Sequence, residues 1–137
     1  MATFNKVNCF VEDVAEKVHN LGTDQLVIAL SNSAPVATNT VLANITEIAY
    51  TNLSSRNITT TSSAQTSGTY KLTLTDLVLT ATGAVGPFRY VVIYNDTPIS
   101  PADPLIGWYD YGSSISLANG DTFTIDFDGV NGVLTIV

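Results

Sequence analysis

The pattern that most constrains this chain is strict alternation of apolar and polar residues in short runs. In Thr69 to Leu74 the residues Tyr70, Leu72 and Leu74 fall on one face and Thr69, Lys71 and Thr73 on the other. In Thr122 to Asp128, Phe123, Ile125 and Phe127 alternate in the same way with Thr122, Thr124, Asp126 and Asp128. Successive side chains of a strand point to opposite faces, so period 2 marks strands with one face in a core and one in water. Between the runs Leu77, Leu79 and Ala81 switch parity relative to Leu72 and Leu74, which requires a bulge or short turn at Thr75-Asp76.

Other segments extend the series. Phe88 to Tyr94 is apolar on both faces and reads as a central, doubly covered strand, and the apolar run Gln25 to Ser31 reads as a buried strand. Leu105 to Tyr111, a shorter Ile115 to Leu117 and the closing Val133 to Val137 read as strands. Gly83 to Pro87, Asn119-Gly120 and Gly129 to Gly132 read as turns, with Asn119-Gly120 a hairpin signal. The Thr/Ser-rich tract Thr59 to Ser67 fits one strand and its turn. Asn95 to Pro104 holds three of the five prolines and reads as an irregular connection. Short, regularly spaced strands with turns between them predict an antiparallel β-sandwich of jelly-roll or immunoglobulin-like type, with residues 1–137 forming one domain.

The beginning is less regular. Phe10, Val14 and Val18 recur at helical spacing opposite Glu12, Asp13, Glu16 and Lys17, while Val7, Cys9 and Val11 fit a strand equally well. Residues 1–24 are therefore expected to be an N-terminal arm or to carry a short helix. Ala34 to Asn52 has no sustained period and is expected to wrap the surface, with a helical turn at Thr40 to Ile45.

Charge narrows the function. Only 12% of residues are charged, about half the usual share, and the formal net charge is -7. Five basic residues cannot form the stripe that a phosphate backbone needs, so no nucleic-acid partner is expected. No run approaches the roughly 18 apolar residues of a membrane span, and Met1 to Phe10 lacks the pattern of a secretory signal. One cysteine, Cys9, and one histidine, His19, rule out an intrachain disulfide and paired-imidazole or multi-thiolate metal sites.

The remaining constellations favour structural readings. Cys9 and His19 lack any signature of a nucleophile and its base. Asp126, Asp128 and Asn131 with Gly129 and Gly132 resemble part of a calcium loop but lack its twelve-residue spacing and closing Glu. No metal, cofactor or catalytic residue is expected. Trp108, Tyr109 and Tyr111 beside Asp110 offer aromatic surface, but on a strand Trp108 points away from Tyr109 and Tyr111. A full sugar-stacking platform is therefore not expected.

Several segments resemble small virion structural proteins of tailed bacteriophages: QLVIALSNSAP (Gln25 to Pro35), QTSGTYKL (Gln65 to Leu72), GPFRYVVIYN (Gly86 to Asn95) and LIGWYDYG (Leu105 to Gly112). The ending, NGDTFTIDFD from Asn119 to Asp128 and GVLTI from Gly132 to Ile136, is similar to them as well. The resemblance implies a capsid decoration (cement) protein, without enzymatic activity. Such a protein binds the outer capsid surface across neighbouring major-capsid subunits as a homo-oligomer, a trimer in preference to a dimer. It would be made in the bacterial cytoplasm and end on the virion. The alternatives are a receptor- or glycan-binding module of a tail or head fibre, and a head–tail connector or tail subunit. Candidate partner contacts are Phe4, Val7 and Phe10 in an arm over Ala2 to Phe10, Pro98 and Pro101 in the proline-rich loop, and Trp108, Tyr109 and Tyr111.

Overall fold

A computed structural model describes residues 2–137 and is mainly β, antiparallel and sandwich-like. The chain runs through β1 (Asn5–Lys6), α1 (Phe10–Ala15), β2 (Leu26–Ser31), a 3-10 turn (Leu42–Asn44), β3 (Thr60–Thr66) and β4 (Thr69–Leu74). It continues through β5 (Leu77–Thr80), β6 (Val85–Asn95), β7 (Leu105–Leu117), β8 (Thr122–Ile125) and β9 (Leu134–Ile136).

One layer is a sheet in the order β1-β7-β6-β2. β6 is flanked by β2 and β7, and Val91 to Asn95 are buried without a break, as expected of a strand covered on both faces. The other layer is a kinked ribbon. β4 continues into β5 while β8 continues into β9 alongside, so β4 pairs with β9 and β5 with β8. The parity switch is this kink: Thr75 and Asp76 lie between the two strands, and the Asp76 carboxylate accepts the Phe127 N–H at 2.9 Å across it. β3 adds to the outside of β4 through a turn in which Ser67 (φ 52°) and Gly68 (φ 84°) both take the left-handed conformation of a tight hairpin. Phe88, Leu26, Ile28, Leu30, Leu79 and Ile93 are all but fully buried between the layers.

Four expectations are corrected. The strand expected from Phe88 begins at Val85, because Val85 and Phe88 are both buried and hold the backbone in the sheet through register shifts around Gly86 and Pro87. Leu105 to Leu117 is one long strand, not two, since its pairing to β6 continues past Gly112 to Ile115 and Leu117. Asn119-Gly120 turns the chain but does not make a hairpin of its flanking strands: β7 pairs with β6 and β8 with β5. The buried Leu79 and Ile125 draw those two strands together in the opposite layer. Finally, the helical spacing prevails over the strand alternative at Val7 to Val11, but the helix stops at Ala15, before Val18.

The N-terminal segment is not a free arm. Asn5 and Lys6 pair with Trp108 and Gly107 of β7, and Val7 and Phe10 are 1% and 2% exposed, inside the core. Neither is available to a partner, which corrects their assignment as contact residues. Gly107 permits the crossing: a Cβ there would run into the Asn5 carbonyl oxygen and the Phe4 ring.

Candidate functional site

A sheet edge leaves backbone donors and acceptors unpaired, so the treatment of each edge bears on what the domain can bind. The outer edge of β2 is closed by the segment from Glu47 to Ile58. Ile48 N–H donates to the Leu30 carbonyl, Ile28 N–H to that of Arg56, and Ile58 N–H to that of Leu26. Arg56 fixes this cover, its guanidinium 3.7 Å from the centre of the Tyr50 ring and its Nη1 donating to the Ile28 carbonyl at 2.6 Å. The Tyr50 hydroxyl in turn donates to Glu47 at 2.7 Å.

The opposite edge is different. β1 covers β7 at Gly107 and Trp108, and beyond them no strand among the described residues pairs with the outer side of β7. There the sandwich has an open mouth, a groove of about 430 Å³ between β6–β7 and β8. That volume lies in the range of about 300–1,000 Å³ typical of binding pockets. Tyr109, Tyr111 and Phe123 form its walls, Val91 and Ile125 add apolar surface, and Asp126 contributes a carboxylate. Ala2 reaches one end.

The aromatic rings are connected. Tyr111 lies 5.4 Å from Phe123, which meets Phe88 edge-on at 5.2 Å; Tyr109 lies 5.4 Å from Phe4 and 6.3 Å from Phe127. Phe88 and Phe127 are buried, so the groove wall is continuous with the core and is held rigid by it. Burial pushes the Tyr109 hydroxyl up to about 12, with the nearby Asp128 adding to the effect. It therefore stays a neutral phenol, able to donate a hydrogen bond, at any ordinary pH. Tyr111 is 54% exposed and presents ring surface to solvent.

The expected contact residues divide. Tyr109 and Tyr111 share the groove, as their common strand parity requires, and Phe4 supports Tyr109 from behind. Trp108 is half-buried on the other side of β7. Asp110, on that side too, is gripped by Arg89 from β6 at 2.8 and 3.0 Å. Pro98 and Pro101 sit in the connection from β6 to β7 and do not line the groove; the exposed apolar residue of that loop is Ile99, 91% accessible. Phe123 and Asp126 belong to the groove but were not expected there. Alternation places Phe123 inward and Asp126 outward; their meeting at one groove with β7 follows from the strand ending at Ile125 and from a layer-to-layer crossing that local pattern does not encode.

The other reactive groups are engaged structurally. The Cys9 thiol is partly buried near the Asn39 and Thr40 carbonyls, and burial, then Asp13, push its pKa up, away from the thiolate. His19 is packed against Phe10 and bonded to Asn95, with no hydrogen bond to Cys9. The Asp128 carboxylate accepts the N–H groups of Val130 and Asn131 and the Asn131 amide, which holds it below the usual carboxylate range and organises its loop. Among the described residues no three His, Cys, Asp or Glu side chains gather as metal ligands, and no helix is long and apolar enough to cross a membrane. Comparison with protein-family models, with curated proteins and with solved structures gives no match.

Proposed function

We propose that this protein is a capsid decoration protein of a tailed bacteriophage, a non-enzymatic β-domain bound to the outer surface of the head across neighbouring major-capsid subunits. The observation that carries the reading is the open aromatic mouth of the sandwich. Tyr111 and Phe123 present rigid ring surface beside an unpaired strand edge, on a domain with little surface charge to desolvate. Aromatic side chains anchored in a packed wall are the usual energetic centre of a protein interface. The segments similar to phage virion proteins supply the identity of the surface it meets.

The mechanism is linkage. A ligand that binds assembled subunits, and loses its contacts when they separate, stabilises the assembled state in proportion to its occupancy. A homo-oligomer, a trimer by preference, multiplies that effect because each copy raises the effective concentration of the next. Oligomerisation would also cover exposed strand edges such as β3, whose residues are nearly all accessible. The test is sedimentation: capsids prepared without this protein, mixed with it and pelleted, carry it down in a fixed ratio to the major capsid protein. Protein left in the supernatant contradicts the reading.

A second reading, glycan recognition by a fibre module, is favoured by the same Tyr111–Phe123 wall with Asp126 beside it, since sugars stack on rings and bond to carboxylates. A glycan array on which binding is lost with Tyr111→Ala would support it in place of the first.

A further inference from the structure

The chain contains two arginines, and each guanidinium lies over a tyrosine ring. Arg56 lies over the Tyr50 ring at 3.7 Å, with the Glu47 carboxylate hydrogen-bonded to that tyrosine's hydroxyl. Arg89 takes both carboxylate oxygens of Asp110 at 2.8 and 3.0 Å while its guanidinium lies 5.4 Å from the Tyr90 ring. Arg89 thus completes a three-part arrangement of guanidinium, tyrosine ring and carboxylate, whereas Arg56 stacks on its ring but donates to a backbone carbonyl and pairs with no acid among the described residues. A planar ion can lie on a ring face while an acid neutralises it, a combination that lysine reproduces poorly.

The groove holds the other two parts of such an arrangement. Tyr109, Tyr111 and Phe123 offer ring surface and Asp126 offers a carboxylate, but among the described residues no lysine or arginine lines it. Among the described residues Asp126 takes part in no side-chain hydrogen bond or ion pair, and neither arginine is free to supply one. The apolar lining of Val91 and Ile125 matches the methylene stem of a long cationic side chain, which covers apolar surface while its head stays polar. With a net charge of -7, the molecule also attracts cationic groups at long range.

We propose that the groove is a receptor for an arginine side chain on a partner protein. The guanidinium stacks against the Tyr111–Phe123 wall, pairs with Asp126, and lies within reach of the Tyr109 hydroxyl. This inference does not depend on the capsid reading. It states what chemistry the partner presents, whatever that partner is.

The experiment is a nuclear magnetic resonance titration of the whole chain with a blocked, unstructured pentapeptide carrying one central arginine. The same peptide with citrulline, which keeps the shape but removes the charge, is the comparison. Lone side chains bind weakly, with dissociation constants on the order of millimolar. The arginine peptide is expected to give saturable shifts centred on Tyr109, Tyr111, Phe123 and Thr124. Binding should be about tenfold weaker with citrulline, corresponding to ~1.4 kcal/mol, and weaker again at high salt. Asp126→Asn is expected to remove the preference for arginine over citrulline, and Tyr111→Ala to weaken both; each variant's spectrum shows directly whether it is folded. Equal binding of the two peptides, shifts centred elsewhere, or no saturable shift at millimolar peptide would each overturn the proposal. A neutral oligosaccharide that shifts these residues where the arginine peptide does not would overturn it in favour of glycan binding.

Discussion

The side-chain amide nitrogen of Asn95 lies 3.1 Å from Nδ1 of His19 and 2.7 Å from the Asp24 carboxylate. The Asn95 oxygen accepts the Thr97 N–H, so the amide's orientation is fixed and its N–H groups face both partners. Nδ1 of His19 is therefore an acceptor, and the ring proton sits on Nε2. That atom is buried without a hydrogen bond among the described residues, 3.8 Å from Asp13.

This arrangement makes stability depend on pH. Burial lowers the His19 pKa below its ordinary 6.5, with Asp13 and Asp24 only partly offsetting it. Below about pH 6.5 the unfolded chain takes up the proton before the folded one does, so the His19 contribution is complete above that value and declines as pH falls towards the lower folded pKa. The urea midpoint is expected to drop as pH falls below about 6.5, and His19→Gln to flatten that part of the profile. A parent profile without a slope there, or one unchanged by the substitution, would contradict the assignment.

Gly107 governs whether the N-terminal segment stays on β7. Gly107→Ala places a methyl group against the Asn5 carbonyl and the Phe4 ring, and overpacking of this kind costs about 1–3 kcal/mol. The loss should be local as well as global. Hydrogen exchange at Lys6 and Val7 is expected to accelerate more than at Ile28 or Ile93 in the core.

Arg56 seals the β2 edge through its stack on Tyr50 and its bond to the Ile28 carbonyl. Arg56→Ala is expected to cost about 1–3 kcal/mol in chemical denaturation. Arg56→Lys should recover only part of this, because an ammonium cannot lie flat on the ring. Exposing that edge should also promote self-association, readable by light scattering.

Phe88 and Tyr111 both approach Phe123 and should behave in opposite ways. Phe88 has no exposed surface, so Phe88→Ala should cost about 3–5 kcal/mol. Tyr111 is 54% exposed, and Tyr111→Ala should change stability by about 0.5 kcal/mol or less while reducing partner binding. Equal destabilisation by the two changes would mean that the groove wall is core rather than contact surface.

The parts of the fold that were legible in the sequence are those that local pattern controls. Leu72 and Leu74, the doubly apolar run at Val91 to Tyr94 and the buried Leu26 to Ser31 all lie as their pattern requires, whereas Thr73, expected on the solvent face of its strand, is buried as well. Thr75-Asp76 interrupts the strands where parity demanded it. What local pattern leaves open is pairing between layers. Asn119-Gly120 specifies a reversal of the chain, but burial of Leu79 and Ile125 selects which strands lie side by side afterwards. The groove follows the same rule: Tyr109 and Tyr111 could be placed on one face, whereas the approach of Phe123 and Asp126 required the crossing. Val7 and Phe10 looked available because their segment lacks a long periodic run, yet two paired residues of β1 and one short helix are enough to bury them.

Cryo-electron microscopy of capsids prepared without the protein, imaged before and after its addition, tests the central claim most directly. The account expects ordered density of this β-domain on the outer surface at junctions between major-capsid subunits, with the Tyr111–Phe123 mouth against the shell. Capsids that stay bare at saturating protein, or density confined to the tail or the portal vertex, would contradict it.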